Sequence, residues 1–402
     1  MNKFINLTKS YKFEILLTVG MFSNLYPDLP IWMYVALLII FFFIAIKDSA
    51  SIKDDRVKFA VLFMLTITLS TFINMSVTYR LLMILVILAS TQLFSSNKFY
   101  HFKIRFLRVS LVGFAITPII NYYAHIYNIN YQLKLDKWKG HSFTLDFAGF
   151  TLHPMWLSAA CGIATIVFVF LLIDLWNKKN RWKAIGILPL LYASIMVSVW
   201  GGSRSALAIS AGAAMFLIYL GNKKVSKMFG VLAVIVVLVA IAMPYFMEGS
   251  EKIVQKMEYQ EKIGRTSREE SWNERLTEFK SSPFWGIGLS AVLDEDGNLS
   301  VGTHETGSGW LTILSQTGLL GIVFALLLWK RGFVPIRYLH DNREMSLYFV
   351  ILIYLSVHTM FEGYIFLPGC YLCFYFWLVL SVLGDYNRKI ANKKLHNHLL
   401  IE

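Results

Sequence analysis

Long apolar runs are the feature of this sequence that most restricts how it can fold. Residues 155–175, 228–246 and 310–328 each reach the roughly 17 to 25 residues that a helix needs to cross a bilayer. Inside a bilayer, backbone N–H and C=O groups must find partners within the protein, so spanning segments are helices or barrel strands. Barrel strands would show short stretches of alternating polarity, and these runs are continuous. The sequence therefore predicts an all-α, polytopic integral membrane protein.

About twelve transmembrane helices can be assigned along the chain, and they form one membrane domain in three parts. We expect transmembrane helices 1–9 in residues 1–246 and a large loop with short helices in residues 247–306. Residues 307–402 then hold transmembrane helices 10–12 and a cytoplasmic tail. The expected spans are 13–26, 31–46, 59–73, 81–95, 106–123, 155–175, 184–199, 205–220, 228–246, 310–328, 345–361 and 370–383.

The basic residues lie in short connectors between the apolar runs. A net charge of +13 would by itself also suit a nucleic-acid-binding protein. If the N-terminus is inside, however, the connectors on its side of the membrane hold roughly two thirds of the 38 Lys and Arg residues, as cytoplasmic loops do. This distribution predicts that both termini are cytoplasmic and that the chain contacts membrane lipid. It argues against a nucleic-acid partner.

The loop of residues 247–306 interrupts the apolar pattern with the charged stretch SREESWNERLTEFKSSPFWGIG. A long loop in a compact domain is usually either functional or disordered. Here Trp272, Leu276 and Phe279 recur at helical spacing, which indicates a helix. Because the rest of this segment is polar, we expect the helix to lie on the membrane surface or against the outer ends of the spans.

Arg204 stands at the outer start of a helix of small residues, in the stretch WGGSRSALAIS. An arginine at this depth is costly unless it faces a cavity or a partner. The free N–H groups and the dipole at a helix start favour anions, and a guanidinium adds a fork that fits phosphate oxygens. The alternative is an interfacial arginine that reaches lipid headgroups or pairs with a nearby glutamate.

Arg268 and Trp272 lie four residues apart in the charged loop, so they share a face if this segment is helical. Arg265 and Arg275 add two further cations to the same loop. Taken alone, the segment equally fits a surface helix of mixed charge, because glutamates are interspersed with the arginines.

Several titratable residues fall at the outer ends of the expected spans. His304 and Glu305 precede the tenth span, His153 precedes the sixth, and Glu362 follows the eleventh. A neutral imidazole or a desolvated carboxylate can accept a proton from a hydroxyl group, although capping or interfacial roles are the alternative. The sequence has no nucleotide-binding glycine loop, HExxH motif or metal-spaced His/Cys set, so we expect neither a metal nor a cofactor.

The order of these motifs resembles that of the O-antigen polymerase and O-antigen ligase superfamily, which are glycosyltransferases of the bacterial envelope. In that family an Arg opens a Ser-Arg-small-small-Leu helix, as Arg204 does here. An Arg four residues before a Trp then precedes a Pro-x-x-Gly-x-Gly turn, and a His precedes a helix with Gly-x-x-Gly. The resemblance covers about residues 200–325, and the positions that match after Arg204 are Arg268, Trp272, Pro283, Gly286, Gly288, Gly318 and Gly321.

The histidine of this pattern is placed differently in the present chain. The ligases are expected to carry His followed by Asn or Ser eleven residues before the first glycine of the pair, which is Gly318 here. That position is Gly307, whereas His304 lies fourteen residues before Gly318 and is followed by Glu305. Either His304 or Glu305 can therefore be the base. The stretch HTMFEGYIFLPG near the end is more similar to the polymerases.

The resemblance implies a metal-independent glycosyltransferase of the bacterial inner membrane, with its active site and the 247–306 loop on the periplasmic face. Its donor would be an oligosaccharide linked to undecaprenyl diphosphate. Arg204 and Arg268 are expected to bind the diphosphate, and His304 or Glu305 is expected to be the catalytic base. The residues expected to line the site are His153, Arg265, Trp272 and Glu362.

Two transfer reactions fit this resemblance. A polymerase would pass the growing glycan to the next lipid-linked repeat unit, with a chain-length regulator as an additional partner. A ligase would pass it to the lipid A core. We expect the polymerase and keep the ligase as the alternative. A polysaccharide flippase or transporter is a remote alternative, because it would need paired broken helices in two related halves, and no internal repeat is evident.

Overall fold

Helices account for nearly all of the regular structure in the computed structural model, which describes residues 12–26, 30–48, 50–51, 55–130, 147–221, 267–294, 297–301 and 307–399. In chain order the helices are α1 (Lys12–Phe22), α2 (Ile31–Lys47), α3 (Asp55–Ile73), α4 (Tyr79–Leu88), α5 (Asn97–Ile126), α6 (Pro154–Asn177), α7 (Arg181–Ile185), α8 (Leu188–Trp200), α9 (Arg204–Gly221), α10 (Ser267–Ser281), α11 (Gly309–Lys330), α12 (Ile336–Asp341), α13 (Arg343–His358) and α14 (Tyr371–Leu399).

Two short antiparallel strand pairs and three irregular helical turns complete the described elements. β1 (Ala50–Ser51) pairs antiparallel with β2 (Phe94–Ser95), and β3 (Ala291–Leu293) pairs antiparallel with β4 (Leu299–Val301). The register of the second pair places Val292 opposite Ser300. The irregular turns are the 3₁₀ turns Ser23–Leu25 and Tyr364–Phe366 and the π-helical turn Ala89–Leu93 that continues α4.

Side-chain caps fix where several of these helices begin. The Oγ of Ser96 accepts the N–H of Phe99 at 3.0 Å at the start of α5. At the start of α13, the Oδ1 of Asn342 accepts the N–H of Met345 at 3.2 Å. Such caps satisfy N–H groups that have no partner inside the helix, so the ends of apolar helices can lie where the chain requires them.

Within the described ranges, the structure has six helical segments that are long and apolar enough to cross a membrane. They are α3, α5, α6, the consecutive α7 and α8, α9 and α11, and α2 and α4 are shorter apolar helices. The expectation of an all-α membrane protein therefore agrees with the structure, and all but one of the expected spans coincide with helices. The ninth span, 228–246, lies outside the described residues, and the total of twelve stays a prediction.

α6 and α9 run in the same direction and α13 runs opposite to them, which defines two ends of the bundle. The carbonyl of Leu220, near the end of α9, lies 2.9 Å from Nδ1 of His340 in α12. Arg343, at the start of α13, donates to Asp174, near the end of α6, at 2.9 Å. The starts of α6 and α9 therefore lie at the opposite end, together with the end of α13. We name that end of the bundle the upper end and the other the lower end.

A buried ionic cluster closes the lower end. The carboxylate of Asp385 in α14 lies 2.8 Å from the guanidinium of Arg56 and 2.5 Å from the Nζ of Lys103. Lys103 also donates to the Oγ of Ser381 at 2.8 Å, and all of these side chains are buried. Because charges inside a membrane protein are costly unless they are paired, the cluster binds α3, α5 and α14 to one another.

We predict that Asp385→Asn destabilises the protein strongly. The change keeps the shape of the side chain but removes the anion on which two buried cations depend. Removing one partner of a buried ion pair costs about 3–5 kcal/mol, because a buried charge is left uncompensated. The measurement is the unfolding free energy of the purified protein in detergent as denaturant is added.

Asp55→Asn is the matched control at the same end. Asp55 pairs with Arg331 at 2.7 Å, but both side chains are largely exposed to their surroundings. Exposed ion pairs contribute little, so the control should unfold as the unmodified protein does. Equal unfolding of the Asp385 and Asp55 variants would contradict a stabilising role for the buried cluster.

Candidate active site

The polar helix predicted in the 247–306 loop is α10, which packs against α11. It buries a pair of charges in place of a stripe of apolar side chains. Nη1 of Arg275 lies 2.8 Å from Oε2 of Glu278, and each side chain is only 2% exposed. Oε1 of Glu278 also accepts the N–H of Leu293 in β3 at 3.4 Å. Burial raises the pKa of Glu278, while the Arg275 guanidinium opposes that rise.

Arg268 extends from the first turn of α10 to the chain just beyond α13. Its Nη2 lies 2.9 Å from Oε1 of Glu362, and its Nη1 donates to the carbonyl of Phe361. The guanidinium carbon lies 5.6 Å from the centre of the Phe361 ring, within the range of a cation–π contact. Glu362 is 3% exposed and Arg268 is 37% exposed, so the carboxylate is buried beneath a guanidinium that a ligand can reach.

Trp272 lies one helical turn after Arg268 and packs on the same ring. The centres of the Trp272 and Phe361 rings are 6.1 Å apart, and the indole N–H donates to the carbonyl of Gly307 at 3.4 Å. Gly307 has a φ of +58°, and a Cβ at this position would lie 2.6 Å from the Cβ of Ser271. The chain that leads into α11 is therefore pressed against α10, and only glycine fits there.

The start of α11 is bound to the same turn that carries Glu362. The N–H of Gly309 donates to the carbonyls of both Thr359 and Glu362, at 2.8 and 3.0 Å. Oγ1 of Thr359 donates to the same Glu362 carbonyl at 2.8 Å. These contacts fix the backbone of Glu362 beside the start of α11.

A break within α11 accounts for the two glycine motifs of the sequence. Gly318 has a φ of 65° and a ψ of −167°, so the helix is interrupted there. The carbonyls of Ser315 and Gln316 accept the N–H groups of Ile287 and Gly288, at 2.9 and 3.1 Å. The turn at 283–288 thus supplies hydrogen bonds that the interrupted helix lacks, which a membrane helix requires.

The turn and the break approach each other backbone to backbone. A Cβ on Gly286 would lie 2.3 Å from the carbonyl carbon of Gln316, and one on Gly318 would lie 2.3 Å from the carbonyl oxygen of Phe284. Nδ2 of Asn74, beyond the end of α3, donates to the Gly286 carbonyl at 2.9 Å. This glycine joint, formed by the 283–288 turn and the break at Gly318, therefore connects the end of α10 to α3 and α11.

Arg204 and His153 also lie at the upper end. Arg204 opens α9, which agrees with the helix start predicted from the sequence, and its side chain is exposed. His153 is half-buried, and its Nδ1 accepts the N–H of Met155 at 3.2 Å, which caps α6. Side-chain contacts join Arg268 and Trp272 to the 361–362 segment, while Arg204 and His153 lie at the same end of other helices.

The remaining predicted site residues are His304, Glu305 and Arg265, and all three lie outside the described residues. The described chain resumes at Gly307, whose contact with Trp272 is given above. In the part of the chain that the structure covers, no three His, Cys, Asp or Glu side chains are grouped closely enough to hold a metal ion.

Phe361 is a site residue that the sequence analysis missed. It contributes a carbonyl and a ring to Arg268 and a ring to Trp272. The available signal was its position directly before Glu362 at the outer end of an expected span. Glu278 was also missed as a buried partner, although its spacing of three residues from Arg275 is typical of a helical ion pair.

Residues 188–326 match the family model described as O-Antigen ligase. The match runs from the start of α8 into the second half of α11, and it includes Arg204, Arg268 and both glycine motifs. It confirms the resemblance to the O-antigen polymerase and ligase superfamily over this part of the chain. Members of the matched family are glycosyltransferase-like enzymes that act on polyprenyl-linked glycans. No curated protein matches the chain.

We predict that Gly286→Ala and Gly318→Ala each destabilise the glycine joint. Both residues have positive φ, which costs a residue with a Cβ about 1–2 kcal/mol, and the added carbon also overlaps backbone atoms. Each variant should therefore lower the Tm of the purified protein in detergent, and transfer activity should fall with it.

Gly212→Ala provides the control, because a Cβ at this position in α9 meets no atom within 4 Å. Alanine is favoured over glycine in a helix by about 1 kcal/mol, so this variant should keep or slightly raise the Tm. If all three variants unfold at the temperature of the unmodified protein, the joint does not contribute to stability.

Proposed function

We propose that this protein is a surface-polysaccharide polymerase. It would transfer a growing glycan from undecaprenyl diphosphate to the next lipid-linked repeat unit on the periplasmic face of the bacterial inner membrane. The observation that carries the proposal is Arg268, a partly exposed guanidinium held at the upper end by Glu362 and Phe361, inside the segment that matches the O-Antigen ligase family.

When a lipid diphosphate departs, negative charge develops on the phosphate oxygen that was bonded to the sugar. Preorganised cations lower the energy of that transition state, especially where water is excluded. Arg268 presents a fork suited to two phosphate oxygens, and Arg204 adds a second guanidinium at the start of a helix. We propose that both bind the diphosphate, with Arg265, Trp272, His153 and Glu362 lining the surrounding site.

The acceptor hydroxyl must lose a proton during the transfer. His304 and Glu305 stay the candidates from the sequence, and we propose that this segment contributes to the acceptor site. Support comes from Gly307, two residues after Glu305, whose carbonyl accepts the indole N–H of Trp272. The segment that we propose for the acceptor and the helix that we propose for the diphosphate are thus in contact through Gly307 and Trp272.

The proposed topology follows from the sequence together with the two ends of the bundle. We propose that both termini are cytoplasmic and that the upper end, with the 247–306 loop, faces the periplasm. Residues 1–246 would hold transmembrane helices 1–9, and residues 307–402 would hold helices 10–12 with the tail. A chain-length regulator would then act from the same side as the loop.

An O-antigen ligase is the second candidate, and the description of the matched family favours it. In this reaction the same diphosphate site would serve, but the acceptor would be the lipid A core. The stretch HTMFEGYIFLPG, which contains Glu362, favours the polymerase. The two functions therefore share a donor site and differ in the acceptor.

We predict that Arg268→Ala and Arg204→Ala each abolish long-chain surface polysaccharide while the protein still accumulates in the membrane. The physical reason is the loss of a cation that stabilises the departing diphosphate, a class of change that costs on the order of 10²–10³-fold in rate. The measurement is the chain-length ladder on a gel. Arg331→Ala, at the lower end, is the control and should leave the ladder intact. Normal ladders from both upper-end variants would refute the diphosphate-binding role.

Deletion of the gene separates the polymerase from the ligase. If the protein is a polymerase, the deletion strain should carry lipopolysaccharide whose core is capped by single repeat units. If it is a ligase, the core should be bare and the polymer should accumulate on its lipid carrier. We expect the single-unit caps, and bare core would assign the ligase reaction instead.

A further inference from the structure

A cavity of about 260 Å³ lies at the lower end of the bundle, at the opposite end from the proposed donor site. It is formed where α6 and α9 end and where α12 leads into the start of α13. Both α6 and α9 are long and apolar enough to cross a membrane, so the cavity lies at the edge of the apolar layer. Its apolar lining from these two helices consists of Phe170, Ile173, Leu217 and Leu220.

Arg343 adds a cation to this lining, at the start of α13. Its side chain is 50% exposed, and Nη1 donates to Oδ1 of Asp174 at 2.9 Å. A guanidinium has five N–H donors in a planar fork. The ion pair with Asp174 therefore leaves further donors of Arg343 available to a second anion.

Asp174 also lines the cavity, but its negative charge is balanced on both oxygens. Oδ1 pairs with Arg343, and Oδ2 accepts from Nζ of Lys178 at 2.5 Å. Two cations and one carboxylate give this group of three side chains a net charge of +1. The cavity therefore favours an anionic ligand over a cationic one.

His340 in α12 is the third polar side chain of the cavity that is able to meet a ligand. Its Nδ1 lies 2.9 Å from the carbonyl oxygen of Leu220. Because a carbonyl oxygen only accepts, Nδ1 carries the proton of this hydrogen bond. Nε2 is then able to accept a hydrogen bond from a ligand hydroxyl, or to donate one to a phosphate oxygen when the ring is protonated.

We propose that this cavity binds the headgroup of an anionic phospholipid from the leaflet at the lower end. The phosphate would accept N–H groups of Arg343, and the acyl chains would lie against the apolar surfaces of α6 and α9. The proposed topology makes this the cytoplasmic leaflet. The proposal goes beyond the transfer reaction and does not depend on it.

The size and the walls of the cavity favour a lipid over a soluble anion. Pockets that enclose a whole small molecule measure roughly 300–1,000 Å³, so about 260 Å³ suits a headgroup whose chains remain outside. A free phosphate ion would gain nothing from the apolar lining, whereas the acyl chains of a lipid continue along it. Basic pockets between membrane helices on the cytoplasmic side are a recurring form of anionic lipid site.

A lipid in this cavity would hold together helices whose other ends lie at the upper end. α6 begins beside His153, α9 begins at Arg204, and α13 ends at His358. A ligand that binds the folded state and not the unfolded state raises the apparent stability by mass action. Lipid binding should therefore raise the Tm of the protein with a saturable dependence on lipid.

The test uses the full-length protein, purified in a nonionic detergent. Dioleoyl phosphatidylglycerol is added at increasing mole fraction in the micelles, and the Tm is measured at each step. Dioleoyl phosphatidylcholine, with the same chains, and inorganic phosphate are titrated in parallel. We expect a saturable rise in Tm with phosphatidylglycerol and no comparable rise with the other two.

Two charge variants should move the apparent lipid affinity in opposite directions. Arg343→Gln should weaken it by about fivefold, the factor for one basic residue beside an anionic lipid surface. Asp174→Asn removes the carboxylate that repels the phosphate and should strengthen it by a similar factor. Each rise in Tm is measured against the same variant without lipid, so a loss of intrinsic stability does not imitate either result.

A third variant fills the cavity without changing a charge. A Cβ on Gly221, which also lines the cavity, meets Cγ2 of Ile173 among the described residues at an ordinary contact distance of 3.4 Å. Gly221→Leu should therefore fold and lose the saturable rise in Tm. Arg337→Gln is the matched control, because Arg337 is an exposed arginine of α12 that lies over the Tyr338 ring and does not line the cavity. It should bind phosphatidylglycerol as the unmodified protein does.

Several results would overturn the proposal. Equal rises in Tm with the two phospholipids, or a full rise with inorganic phosphate, would exclude an anionic lipid as the ligand. Unchanged lipid affinity in both Arg343→Gln and Gly221→Leu would place the lipid elsewhere on the protein. Weaker binding by Asp174→Asn would contradict an anion site. None of these results bears on glycan transfer, which the chain-length ladder tests separately.

Discussion

The break in α11 at Gly318 is the constraint on which the upper end of the molecule depends. A helix that is interrupted within a membrane protein leaves carbonyl groups that must be satisfied by the protein itself. Here the turn at 283–288 satisfies them by main-chain hydrogen bonds, and two glycines allow the backbones to touch. Because this turn directly follows α10, the hydrogen bonds that satisfy α11 also fix the position of α10. Arg268 and Trp272 then project from a helix whose far end is anchored at the joint.

The two ion pairs of α10 differ in how deeply they are buried. This difference distinguishes a pair that stabilises the fold from a pair that a ligand can reach. Arg275 and Glu278 are each 2% exposed, so separating them would leave an unpaired charge buried in the protein. Arg268 is 37% exposed above a buried Glu362, so its guanidinium is accessible while it pairs with the carboxylate. The first pair fixes the helix, and the second leaves a guanidinium that a ligand can reach.

The sequence was sufficient to predict the apolar helices, because each of them is encoded by a local run of residues, as α6 and α11 show. It also predicted the pairing of Arg268 with Trp272 on one helical face. It did not predict the partners of that face, since Phe361 and Glu362 lie about ninety positions later in the chain. The apolar spacing of α10 was a poor guide to its buried face, because Leu276 is exposed while Arg275 and Glu278 are buried. Contacts of this kind depend on tertiary packing, which local periodicity does not record.

Charge is distributed differently at the two ends of the bundle, and this bears on where an anionic substrate can bind. At the lower end, Arg56 and Lys103 are buried around Asp385, so their positive charge is committed to holding helices together. At the upper end, Arg204 is exposed and Arg268 is partly exposed, at the start of α9 and in the first turn of α10. A lipid diphosphate has its charged group at the membrane surface and its tail in the apolar layer, so it needs cations that are accessible at helix ends. Among the described residues, the upper end provides this combination within the matched segment, which is why we propose the donor site there.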